Sequence, residues 1–110
     1  GMYSTTLDYA RWLEMWMEGG PLNGRRVLAA SLVDEALQPA KLETYGYHWE
    51  LYGSSPDGET VPAFGHSGTD GTYAIASRYS GTMVLIFTQS RGAWDELRRP
   101  IQRAYRLVGL

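Results

Sequence analysis

The residues best suited to chemistry lie in one run, FGHSGTDGTY, from Phe64 to Tyr73, which puts His66 beside Ser67 and Asp70 four positions beyond the histidine. A serine nucleophile needs its hydroxyl within about 3 Å of a base nitrogen, and that base needs a carboxylate to orient it. Successive side chains of an extended strand leave opposite faces. If the run is a strand, His66 and Ser67 do not serve each other, and the three residues are not a self-contained triad. The Asp-Gly pair within Thr69–Thr72 suits a tight turn, so the run reads as strand, hairpin, strand.

The elements that must position this run can be read from local signals. Thr5 to Glu18 reads as a helix: Thr5 caps it, Asp8 completes a capping box, and Gly19-Gly20-Pro21 ends it. Ala10, Leu13 and Met17 make its apolar stripe, and Tyr9, Trp12 and Trp16 broaden that stripe until it needs cover on more than one side. The run PLNGRRVL holds an Asn-Gly turn, and Ser31 with Asp34 gives a second capping box ahead of a short helix that ends before Pro39. Tyr45 to Tyr52, YGYHWELY, alternates as a strand with His48 on its less apolar face, exposed or paired with Glu50.

After the loop GSSPDGE, three strands are expected: about Pro62–Ser67, Thr72–Tyr79 and Thr82–Gln89, the last two joined at Ser80-Gly81. The uninterrupted MVLIF is expected to be covered on both faces. A final helix from about Asp95 to Leu107 can cover one of them, with Pro100 in its first turn or at a kink. Arg99, Arg103 and Arg106, with Arg98 beside them, then form its wet face. The expectation is one α+β domain over residues 1–110, an antiparallel sheet of three to four strands with an N-terminal and a C-terminal helix packed against it.

Composition narrows the function classes. Ten Lys and Arg against twelve Asp and Glu leave a net charge of −2, which offers no general attraction to nucleic acid or anionic membranes. The chain has no cysteine, which removes thiol nucleophiles, disulfides and sulfur-ligated metals together, and two histidines in no metal-binding spacing. No cofactor or metal is expected. No apolar run approaches the roughly 18 residues of a membrane span, nor does a signal peptide open the chain, so a soluble protein is expected.

Taken together, MYSTTLDYARWLEMWMEGG, NGRRVL, YGYHWELYG, FGHSGTDGT and MVLIFTQS resemble, in order and rough spacing, the C-terminal third of the serine β-lactamase-like family. That family groups class C β-lactamases, D-alanyl-D-alanine carboxypeptidases of the penicillin-binding type and related bacterial esterases. The resemblance covers nearly the whole chain. It implies a partial β-lactamase-like fold and a parent activity of acyl transfer to or hydrolysis of β-lactams, D-Ala-D-Ala peptides or esters. It places His66-Ser67-Gly68 where many members carry Lys-Thr-Gly on the strand beside the active site.

By that resemblance, His66 tunes the proton network around the nucleophile, and Ser67 offers its hydroxyl to a substrate carboxylate or carbonyl. Gly68 keeps the strand thin, and Thr69 supplies a backbone N–H to the oxyanion hole, a kind of donor typically worth about 2.7–4 kcal/mol in the transition state. The family's Ser-x-x-Lys and Tyr-x-Asn motifs are absent. The only lysine, Lys41, follows Gln38 by three, and the only asparagine, Asn23, follows Pro21 by two. No complete catalytic set is therefore expected, and the chain reads as an inactive fragment or remnant of such a hydrolase.

In the family fold, N-terminal strands and a helical domain flank this sheet, which implies an uncovered strand edge here. Leaving about 400 Å² of apolar surface wet forfeits roughly 10 kcal/mol. A homodimer, or pairing with the missing N-terminal half of a parent enzyme, is expected on that ground. A free-standing ligand-binding or oligomerisation module, taking a small acyl or anionic ligand in the His-Ser-Gly groove, is the alternative. A third reading joins His66 to a remote serine such as Ser4 or Ser90. The compartment of the parent, periplasmic or cytoplasmic, is not encoded in these features.

Overall fold

The computed structural model describes residues 2–53, 63–92, 96, 97, 99–101 and 103. Helix α1, Thr6–Met17, starts where the sequence places it: the Thr5 hydroxyl accepts the Asp8 N–H at 3.1 Å, satisfying one of the free donors of the first turn. Asn23 and Gly24, both with positive φ, turn the short hairpin of β1, Pro21–Leu22, and β2, Arg25–Arg26. Helix α2 spans Ala30–Ala36. Its N-cap is Ala29, without a side-chain cap, so the Ser31–Asp34 capping box does not form because the helix has already begun.

Strands β3, Glu50–Tyr52, β4, Ala63–Gly68, β5, Thr72–Ser77, and β6, Thr82–Phe87, pair in that order as one antiparallel sheet. The fold is α+β, as expected. The strand anticipated over 45–52 is reduced to its last three residues. Tyr45 bridges Glu50, Gly46 N–H donates to the Trp49 carbonyl at 2.9 Å, and His48 takes φ +61° inside the turn so formed. The competing partner is α2: Tyr47 N–H donates to the Ala36 carbonyl at 2.9 Å, drawing the chain out of strand geometry.

The β5–β6 connection is also longer than the two-residue hairpin anticipated at Ser80-Gly81. Ser77 pairs with Thr82, leaving 78–81 as the loop, where the Ser77 hydroxyl accepts the Ser80 N–H.

Register sorts the sheet's side chains into two layers. Leu51, Phe64, Ala74 and Ala76 join Leu13, Met15, Trp16, Val33 and Trp49 in the core beneath the helices, with Met83, Leu85 and Phe87 beside them. Ala63, Tyr73 and Ile75 face the other way, against Ile101 and Leu97. Those two residues belong to the helical backbone seen at 96, 97, 99–101 and 103, where Arg99 and Arg103 are exposed. The remainder of the expected C-terminal helix, including Arg98 and Arg106, lies outside the described residues, as does the GSSPDGE loop after Gly53. Residues of β6 do contribute to both layers, yet each of its six is only half-buried. The expected full cover over MVLIF is incomplete because β6 is an edge strand of the described sheet.

Candidate functional site

Two-residue periodicity decides the local chemistry of β4. His66 pairs across from Ala74 and projects to the α1 side, whereas Ser67 pairs across from Tyr73 and projects to the opposite layer. Asp70 is further removed still: in the exposed turn, it binds the Arg91 guanidinium at 2.6 Å. The neighbouring His, Ser and Asp thus go three separate ways.

His66 is held by both ring nitrogens. Its Nδ1 lies 2.6 Å from the Ser67 carbonyl oxygen, and its Nε2 lies 2.7 Å from the Tyr45 hydroxyl. A carbonyl has no proton to give, so Nδ1 carries one. In the neutral imidazole Nε2 is then the acceptor, and Tyr45 donates to it. The rings meet edge-on with centroids 5.8 Å apart. Sequence periodicity assigned Tyr45 to an apolar strand face. The 46–49 turn, a tertiary consequence of α2, is what swings it back toward β4.

Both residues line a cavity of about 850 Å³ between the sheet and α1. Trp12, Trp16, Trp49 and Phe87 supply its apolar walls, and Gly68 and Ser67 contribute to its edge. A side chain at position 68 would drive a Cβ to 2.1 Å from the Thr72 hydroxyl, so glycine there keeps the rim open. Thr69 follows in the exposed turn and is not among the residues lining the cavity. Trp16 Nε1–H is buried and has no hydrogen-bond partner among the described residues.

Ser67 belongs to a second cluster. Its hydroxyl donates to Glu50 Oε1 at 3.4 Å, a long contact, while Glu50 Oε2 accepts the Tyr52 hydroxyl. Burial, then the bond to Glu50, pushes the Tyr52 phenol far above its ordinary value. His48 is exposed and Glu50 is engaged here, so the anticipated His48–Glu50 pair is replaced by this one. Among the described residues, no three His, Cys, Asp or Glu side chains converge as a metal site, and no helix is long and apolar enough to cross a membrane.

With this geometry in view, comparison with known families is decisive. The β-lactamase family model matches residues 1–107. The chain belongs to the β-lactamase family. A search of curated proteins returned no match. Membership supports a serine-hydrolase-like origin. The His66-Ser67-Gly68 run is half-buried at the end of β4.

Proposed function

We propose that this chain forms one wall of a β-lactamase-family acyl-transfer site, with His66, Ser67, Gly68 and Thr69 as its members, and that alone it forms no acyl-enzyme. The observation that carries the reading is the commitment of His66 Nε2 to the Tyr45 phenol. A His-based serine triad keeps that lone pair for a hydroxyl nucleophile, so His66 does not serve one in this arrangement. Ser67 donates to Glu50 in the other layer, and Ser4 donates to the Thr5 carbonyl. With no Ser-x-x-Lys in the sequence, an attacking group must come from outside these residues. Incubation with a fluorophosphonate or a labelled penicillin, read by intact mass, tests this. An unmodified mass is expected, and an adduct on any serine refutes it.

A second part of the proposal concerns assembly. β6 has no strand partner on its outer side among the described residues, and TMVLIF carries neither charge nor proline to protect such an edge. A second copy pairing there about a twofold axis extends the sheet. Sedimentation equilibrium across a wide concentration range should show dimer, and a monomer throughout removes this account.

A further inference from the structure

The hydrogen-bond polarity of the His66 cavity points to a class of ligand. This inference rests on the proposed site wall at His66, takes the cavity that His66 lines as its ligand site, and goes on to say what enters it. Three observations combine. The cavity's volume, about 850 Å³, lies within the usual range for small-molecule sites. Its walls are aromatic, with Trp12, Trp16, Trp49 and Phe87 offering ring faces and edges. None of its described lining residues is Asp, Glu, Lys or Arg.

The polar locus on the sheet side is the Tyr45–His66 pair. Because the Ser67 carbonyl keeps the proton on Nδ1, neutral His66 accepts the Tyr45 proton at Nε2. Tyr45 Oη then has spent its only proton and retains lone pairs. With the imidazole in that tautomer, the pair presents the Tyr45 oxygen as an acceptor to an incoming molecule. A carboxylate entering here meets no Lys or Arg among the described lining residues to offset its lost hydration.

We propose that the cavity binds neutral aromatic molecules bearing one O–H or N–H, with Tyr45 Oη accepting that proton and the indoles packing the ring. At the Tyr45 end of the cavity the selectivity is set by the direction of one hydrogen bond, which the backbone carbonyl of Ser67 fixes, while Trp16, whose Nε1–H has no partner among the described residues, lines the same cavity.

Three matched probes test it on the intact chain near neutral pH: p-cresol, p-xylene as its isostere lacking the donor, and p-toluate as its anionic counterpart. Binding is read from the indole N–H resonances of Trp12, Trp16 and Trp49 in a 15N-labelled sample. Cresol should bind about fivefold more tightly than xylene, the ratio expected for one hydrogen bond, and at least about tenfold more tightly than toluate. Tyr45→Phe should remove the cresol preference while leaving xylene binding in place.

Should Tyr45→Phe fail to fold, His66→Leu serves instead. It frees the Tyr45 proton to point into the cavity, so the preference should pass from cresol to an acceptor such as 4-methylacetophenone. Equal binding of cresol and xylene, tighter binding of toluate, or an unchanged preference in either variant overturns the inference while sparing the ligand site itself. Absence of any shift with all three probes overturns both, whereas serine labelling bears only on the acyl-enzyme reading.

Discussion

Gly65→Ala is the substitution whose effect the sheet defines most sharply. A Cβ at this position would stand 2.1 Å from the Ala74 carbonyl oxygen and 2.8 Å from the Ile75 Cα, both backbone atoms of β5. β5 cannot swing aside, because it is paired with β4 on one edge and with β6 on the other, Ala74 opposite Leu85. Overpacking of a closed interior costs about 1–3 kcal/mol, and an obstacle made of backbone belongs at the upper end. Against this, alanine restricts the unfolded chain and returns about 0.4–1 kcal/mol. The net expectation is a loss of about 2 kcal/mol, which in a chain of 110 residues lowers Tm by roughly 8 °C. Urea denaturation followed by tryptophan fluorescence measures it, with Gly81→Ala as reference. Gly81 has φ +67° and no atom within 4 Å of a built Cβ, so only backbone strain, about 1–2 kcal/mol before the same offset, applies there. Stability of Gly65→Ala within about 0.5 kcal/mol of wild type, or no lower than that of Gly81→Ala, would refute the reasoning.

Other expectations concern groups away from that contact. Tyr52 ionises at higher pH in the fold than in the unfolded chain, so its contribution is complete below about pH 10 and lost as pH rises through the folded value. Urea midpoints measured from pH 9 to 11 should therefore fall less steeply for Tyr52→Phe than for wild type. Leu13, with 0% exposure at the centre of the α1 layer, should cost about 2–5 kcal/mol when replaced by alanine, seen as a lower urea midpoint with unchanged slope. Thr5→Ala removes the α1 cap and should cost about 1 kcal/mol by the same assay, whereas Thr5→Asn should restore most of it.

What could be read from the sequence was what is decided within a few residues. Thr5 and Asp8 cap α1 by contact three apart, Asn23-Gly24 makes its own hairpin, and β4, β5 and β6 lie within the runs that the turn residues between them mark off. The separation of His66 from Ser67 followed from strand geometry alone. Errors arose where a distant partner overrode the local pattern. Residues 45–49 alternate like a strand, yet the Ala36 carbonyl captures Tyr47 N–H and a turn results. Ser31 and Asp34 have capping spacing, but the helix begins at Ala30. The Tyr45–His66 bond joins residues 21 apart and the Glu50–Ser67 contact residues 17 apart, and no periodicity encodes either.

One chain of rings reaches from the surface of α1 to β4: Trp12 to Trp16 at 5.7 Å, Trp16 to Trp49 at 5.4 Å, and Trp49 to Phe64 at 5.2 Å, each edge-to-face. Close-packed rings cannot tilt one at a time. Phe64 precedes Gly65 and His66, so a displacement of β4 is transmitted ring by ring to an indole that solvent can reach. The molecule thus contains its own optical gauge: quenching or spectral drift at Trp12 reports, without any added label, on how β4 is seated.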